Sequence, residues 1–239
     1  EVTSIEQGHA SQLLGAAVTN FAGGTLSVLV GAGGTRTINA AIQNAGTVTV
    51  NQPLTMNVAG SQSNSGTWTL NANQTINFDT DARVFATSGT LSVAPGVTFF
   101  QSNGDFQWET GALIGGGTLS VFSATATLTP DFAQAEQVRL VANSSTITGA
   151  GSITIPVGQT LELGTSTLTN ALTVSLSVTN GTLVMNTAFT QDGVIDVASS
   201  ATLSTNSQSL TNSATAVIRG MGTVTVGAGN TLTNNGTIA

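Results

Sequence analysis

An all-β fold, a parallel β-helix (β-solenoid) with about 20–23 residues or more per turn, is what this sequence predicts, on three observations. First, one short phrase recurs: Gly followed by Thr or Ser, then an apolar residue, in Thr25–Val28, Thr47–Val50, Thr67–Leu70, Thr90–Val93 and Thr118–Val121, and again at Ser152, Thr182 and Thr223. Second, nearly every copy alternates strictly between apolar and hydroxyl side chains, the period of a strand with one buried face. Third, no sustained 3.6-residue apolar stripe runs through the chain. Short repeats of this kind, each with two or three brief strands, bury their apolar faces by stacking on the next repeat. Two antiparallel sandwiches of about 110 residues each would be the competing fold. That fold does not explain why a Gly precedes every copy of the phrase.

Residues 1–22 read as a lead-in or cap, with a short amphipathic helix expected over Ile5–Val18 on the strength of Leu13, Leu14 and Val18. From residue 23 to 239 the chain reads as a single solenoid domain. The first four phrases begin at Thr25, Thr47, Thr67 and Thr90, at nearly even intervals. Later copies, from Thr118 on, are spaced more widely, so irregular loops are expected after residue 90. Period-2 geometry predicts Leu26, Val28, Val48, Val50, Trp68, Leu70, Leu91 and Val93 inward, with Thr25, Thr47, Thr67 and Thr90 outward in one column. Gly, Asn and Ser between the runs supply turns. The last residues, Thr231–Ala239, stop in mid-pattern, as expected of a segment of a longer protein.

Composition narrows the function classes. Thr, Ser, Asn and Gly number 41, 23, 19 and 28 of 239 residues, while charged residues are only 6%. There is no Cys, so a disulfide scaffold and a Cys-based metal site are excluded. The net charge is −7, and the four cations (Arg36, Arg83, Arg139 and Arg219) are scattered. Nucleic acid would need a basic stripe to neutralise phosphates, so no nucleic-acid partner is expected. The longest apolar runs, Leu13–Val18 and Leu26–Val30, fall far short of the roughly 18 residues of a membrane-spanning helix, so this segment is not expected to insert in a membrane.

Few residues carry recognisable chemistry. His9 has no Cys to share a metal, and no nucleophile elbow accompanies it. The Gly-rich stretches at Gly31–Arg36 and Gly227–Thr231 lack the third Gly of a dinucleotide fingerprint and the Lys of a P-loop, and read as turns. The unusual region is 67–139, with both Trp, seven of nine Phe and six of eleven acids. Alternation puts Trp68, Phe106 and Trp108 inward, and Asp105, Gln107 and Glu109 outward. Asp79, Asp81 and Arg83 are expected on one face of an extended run. A carboxylate–Arg constellation on a β-surface suits a sugar or a partner's Arg, so Asp79, Asp81, Arg83, Asp105, Gln107 and Glu109 are the candidate ligand-binding residues. No catalytic, cofactor-binding or metal-binding residues are expected.

The phrase Gly-Thr-Leu-x-Val, with endings such as Gly229–Ile238, resembles the repeat regions of large bacterial surface proteins: autotransporter passengers and filamentous-haemagglutinin-like adhesins. The resemblance extends from about Gly23 onward, and the wide phrase spacing after residue 90 departs from it. It implies a right-handed parallel β-helix, exported to the cell surface or outside the cell. The resemblance implies that compartment and architecture, not a ligand; together with the lack of catalytic motifs, the chain is expected to be a monomeric, non-catalytic stalk and contact surface of a larger adhesin-like protein, with a glycan or a surface protein as partner and no cofactor. Two other resemblances bear on function. The outward Thr pairs are similar to the ice-binding faces of solenoid antifreeze proteins. Polysaccharide lyases and galacturonan hydrolases share the β-helix, but Asp79 and Asp81 stand here without a matching Lys, second acid pair or His.

Overall fold

The computed structural model describes residues 11–31, 36–133, 138–151, 153–155, 160–163, 167–168, 175–178, 182–185, 189–191, 194–199, 202–205 and 207–239. Among these every regular element is a β-strand, and every strand pairing is parallel. The chain is a β-solenoid, as its repeats predict, and divides into two compact units, residues 1–124 and 125–239.

In the first unit each coil contributes strands to three ladders. One ladder stacks Thr25–Val28, Thr47–Val50, Thr67–Leu70, Thr90–Val93 and Ala112–Ile114. A second stacks Leu54–Val58, Gln74–Phe78, Thr98–Ser102 and Thr118–Phe122. A third stacks Gln62–Asn64, Val84–Thr87 and Asp105–Trp108. The first ladder is in register at every step: Thr25, Thr47, Thr67, Thr90 and Ala112 are successive partners, and so are Leu26, Val48, Trp68, Leu91 and Leu113. All eight residues expected inward are buried. Thr25 is exposed and Thr47, Thr67 and Thr90 are half-exposed in one column.

Two expectations are corrected. The coil length does not widen after residue 90, since the next partner of Thr90 is Ala112, the same interval that separates Thr25 from Thr47. The phrase at Thr118–Val121 continues a different ladder, where Thr118 pairs with Thr98. All faces of a coil use the same alternating chemistry, so the interval between phrases jumps whenever the phrase changes face. The helix expected over Ile5–Val18 is also not formed where the chain is described. Residues 11–18 belong to strand Ser11–Asn20, which pairs in parallel with Arg36–Asn44, and residues 5–10 lie outside the described residues. In this strand Leu14 is 65% exposed and Leu13 and Val18 are half-buried. Pairing instead satisfies the backbone groups along one edge of Arg36–Asn44.

The core of the first unit is aromatic where the sequence concentrates aromatics. Trp68, Phe85, Phe99 and Phe106 are fully buried and touch edge-on or stacked, with centroids 5.1–5.9 Å apart. Each ring contributes about 1.5–3 kcal/mol by burial. The indole N–H of Trp68 donates to Gln74 Oε1 at 2.9 Å, so this polar atom is not stranded in the core.

A second buried device runs along one corner. Asn20 Nδ2 donates to Asn44 Oδ1 (2.7 Å), Asn44 Nδ2 to Asn64 Oδ1 (2.8 Å), and Asn64 Nδ2 to Thr87 Oγ1 (3.1 Å). The same amides cap the backbone of the next coil, reaching the carbonyl oxygens of Thr47, Thr67 and Thr90. This corner explains the Gly of the recurring phrase. A Cβ on Gly46, Gly66 or Gly89 would run into the carbonyl oxygen of the Gly one coil before it. The coils therefore stack at β-sheet spacing here only because these positions lack a side chain.

The second unit repeats the plan. One ladder runs Phe132–Ala133, Ile153–Ile155, Ser175–Val178, Val194–Val197, Val217–Arg219 and Thr237–Ile238. Another stacks Thr160–Leu163, Thr182–Met185, Thr202–Ser204 and Thr223–Thr225. Buried Asn212 donates to Asn234 Oδ1 (2.7 Å) and to the Thr237 carbonyl (3.0 Å), the same corner device.

Candidate functional site

The six candidate residues fall on the surface of two consecutive coils of the first unit. They reach it by different local structures. Asp79 ends the strand Gln74–Phe78, and residues 79–83 turn the corner to Val84–Thr87, with the Arg83 N–H donating to the Thr80 carbonyl (3.3 Å). The expected extended run is thus a turn. The polar stretch from Asp79 to Arg83 has no apolar alternation to hold a strand, and the coil must change direction here. The turn, not alternation, brings Asp79 and Arg83 together: Arg83 Nε donates to Asp79 Oδ1 at 3.0 Å, with the side chains 36% and 44% exposed respectively. Asp81 sits exposed at the turn.

On the next coil, alternation behaves as expected. Phe106 and Trp108 are buried, and Asp105 and Gln107 face outward, joined by a 2.6 Å hydrogen bond from Gln107 Nε2 to Asp105 Oδ2. Asp105 pairs with Val84, and its N–H donates to the Arg83 carbonyl (2.8 Å), so the two groups are neighbours along the stack. Glu109 is exposed just past the strand, held by its N–H to the Thr87 carbonyl (3.0 Å). His9 and Glu136 lie outside the described residues.

The electrostatics favour charge pairing. The Arg83 guanidinium, through its hydrogen bond, holds the Asp79 carboxyl below its ordinary value of 3.8, and Asp79 in turn raises Arg83. A general acid on a polysaccharide needs a carboxyl pushed the other way, so that it stays protonated. Among the described residues, no group of three or more His, Asp or Glu is placed to hold a metal ion. Arg36 is buried, and Arg83 and Arg219 are each paired with an Asp, so no basic stripe forms from these residues. No helix among the described residues is long and apolar enough to cross a membrane.

Sequence reasoning misses a neighbouring surface. The outward residues of the second ladder form two columns across four coils: Thr55, Thr75, Phe100, Ser120 and Asn57, Asn77, Ser102, Phe122. Asn77 Nδ2 donates to Asn57 Oδ1 at 2.8 Å, an exposed amide ladder. Phe100 and Phe122 meet with centroids 6.5 Å apart and planes 27° from parallel, and Phe122 is 40% exposed. The signal is present in the sequence. Phe99 and Phe100 are consecutive, so alternation forces one of them outward, and Phe122 carries the phase of the outward Thr118 and Ser120.

Comparisons of the chain with protein-family models, with curated proteins and with solved structures found no match.

Proposed function

We propose that this chain is a non-catalytic β-solenoid segment of a larger adhesin-like protein, displayed on a cell surface or secreted, serving as a stalk and as a contact surface for a glycan or a surface protein. The observation that carries this reading is the outward chemistry of the ladders. Coil after coil presents hydroxyls and amides in register, as in the column Thr25, Thr47, Thr67, Thr90 and the pair Asn57–Asn77. Repeated donors and acceptors on a scaffold whose strands turn one apolar face inward suit many weak contacts with an extended partner, whose affinities multiply when presented together. The exposed, charge-paired carboxylate of Asp79 and the outward carboxylate of Asp105 serve the same role as hydrogen-bond acceptors.

The test is adhesion without turnover. Beads coated with the chain are washed over immobilised glycans and matrix proteins, and the glycans are then assayed for new reducing ends or unsaturated products. Retention of the beads with unaltered glycans is expected. Release of sugar products would move the chain to the polysaccharide-active enzymes, and absence of retention on every surface would leave a stalk without a contact role.

A further inference from the structure

The aromatic pair on the second ladder breaks the rule that governs the rest of its face. Below it the two columns read Thr–Thr and Asn–Asn, hydroxyl and amide only. At the next two coils Phe100 enters the Thr column and Phe122 enters the Asn column. Neither ring is among the buried core residues, where Phe85, Phe99 and Phe106 already fill the coil. Two outward rings in contact therefore lie beside two rows of neutral hydrogen-bonding groups.

We propose that Phe100 and Phe122 form the stacking platform of a binding site for a neutral polysaccharide. This deepens the contact-surface reading and rests on it. The ring faces, 27° from parallel, offer apolar area to the C–H faces of successive sugar rings. A polysaccharide running along the stack passes from the rings onto Thr75 and Asn77 and then Thr55 and Asn57. Each Asn amide has two N–H donors and an acceptor oxygen. The Asn77–Asn57 bond uses only part of that capacity, and the remainder serves sugar hydroxyls. Charge selects a neutral ligand: none of these six residues is charged, the chain carries −7 overall, and Arg83, on an adjacent corner, is already engaged by Asp79. A polyanion would meet repulsion from that net negative charge.

The experiment is affinity electrophoresis of the whole chain through gels containing hydroxyethylcellulose, xylan or galactomannan, with polygalacturonate as the anionic control. Native chain should be retarded by at least one neutral polymer and not by polygalacturonate. The double variant Phe100→Thr/Phe122→Asn continues the pattern of the preceding coils, so it should fold, and its affinity should fall by about tenfold or more. Phe100→Trp/Phe122→Trp should retain binding. Phe122→Ser alone gives the same readout if the double variant does not fold. Unchanged retardation in Phe100→Thr/Phe122→Asn and in Phe122→Ser overturns this site and leaves the contact-surface reading standing. Retardation by polygalacturonate alone overturns the neutral assignment. If native chain is not retarded by any polymer while coated beads still adhere, the platform is refuted. If neither occurs, both readings fall.

Discussion

Replacing Asn64 by Ala should destabilise the first unit far more than replacing Asn57, although both carry an amide ladder bond of 2.8 Å. Asn64 is 1% exposed and makes three side-chain hydrogen bonds: it accepts from Asn44, and donates to Thr87 Oγ1 and to the Thr90 carbonyl. At about 1 kcal/mol net for each bond, the loss is about 3 kcal/mol. Stranded partners add to it, since the buried Thr87 hydroxyl loses a donor and the cavity is too enclosed for easy rehydration. Asn57 is exposed, so water replaces its lost partner and the cost should stay below about 0.5 kcal/mol. The assay is urea denaturation followed by circular dichroism, with the midpoint converted through the slope. A thermal scan should show Asn64→Ala melting about 6–12 °C lower. Equal effects at the two positions, or a change below about 0.5 kcal/mol at Asn64, would refute the claim that the buried corner, and not amide stacking in general, holds the coils together.

Three further outcomes are expected. Gly66→Ala should cost about 1–3 kcal/mol in the same assay, because its Cβ meets the Gly46 carbonyl oxygen; a neutral effect would mean the coils are not this close. In an NMR titration the Asp79 carboxyl should protonate below its ordinary value of 3.8 and move upward in Arg83→Ala. The lowered folded value means that this pair's contribution is present above the unfolded carboxylate range and is lost as pH falls through the folded value, so an Asp79 midpoint unmoved by Arg83→Ala would contradict the pairing. A thermal-hysteresis assay should show no ice-binding activity, because the outward columns of the first ladder read Thr-Thr-Thr-Thr-Ala and Ser-Thr-Thr-Ser-Ile, too short and mixed for a uniform array; faceted crystals lost on Thr47→Lys/Thr67→Lys would reverse that.

The strands and the direction of the core were legible because a period of two leaves little freedom. Once Leu26, Val48 and Leu91 face inward, Trp68 must too, and it does. What escaped the sequence was which copy stacks on which. Thr118 looks like a late member of the column of Thr25 and Thr90, yet Ala112, with no phrase around it, takes that place. Only the closure of the coil distinguishes one face from another, and closure depends on corners that alternation does not describe. The corners hid two further features. Asn44, Asn64 and Asn234 each stand two residues before a Gly, a spacing that reads as turn chemistry. Folded, Asn44 and Asn64 are buried in a ladder and cap the next coil, while Asn234 accepts the same bond from Asn212 at an exposed position. Asp79 and Arg83 looked like neighbours on a strand face and are instead joined across a turn. In the candidate site, the acids were legible from their concentration. Phe100 and Phe122 were not, because aromatics in a β-rich region are first assigned to the core.

That the surfaces of the first unit are columns of residues one coil apart is tested most directly by cysteine pairing, for which the cysteine-free chain is a clean background. Thr47 and Thr67 are in-register partners on adjacent strands, whereas Thr47 and Thr90 are two coils apart. Adjacent strands lie about 4.8 Å apart and two coils about 10 Å, against an upper limit of about 7 Å between the Cα atoms of a disulfide. Under mild oxidation Thr47→Cys/Thr67→Cys should close an intramolecular disulfide and Thr47→Cys/Thr90→Cys should not. A monomeric disulfide in the second pair and none in the first would contradict the stacking on which every surface described above depends.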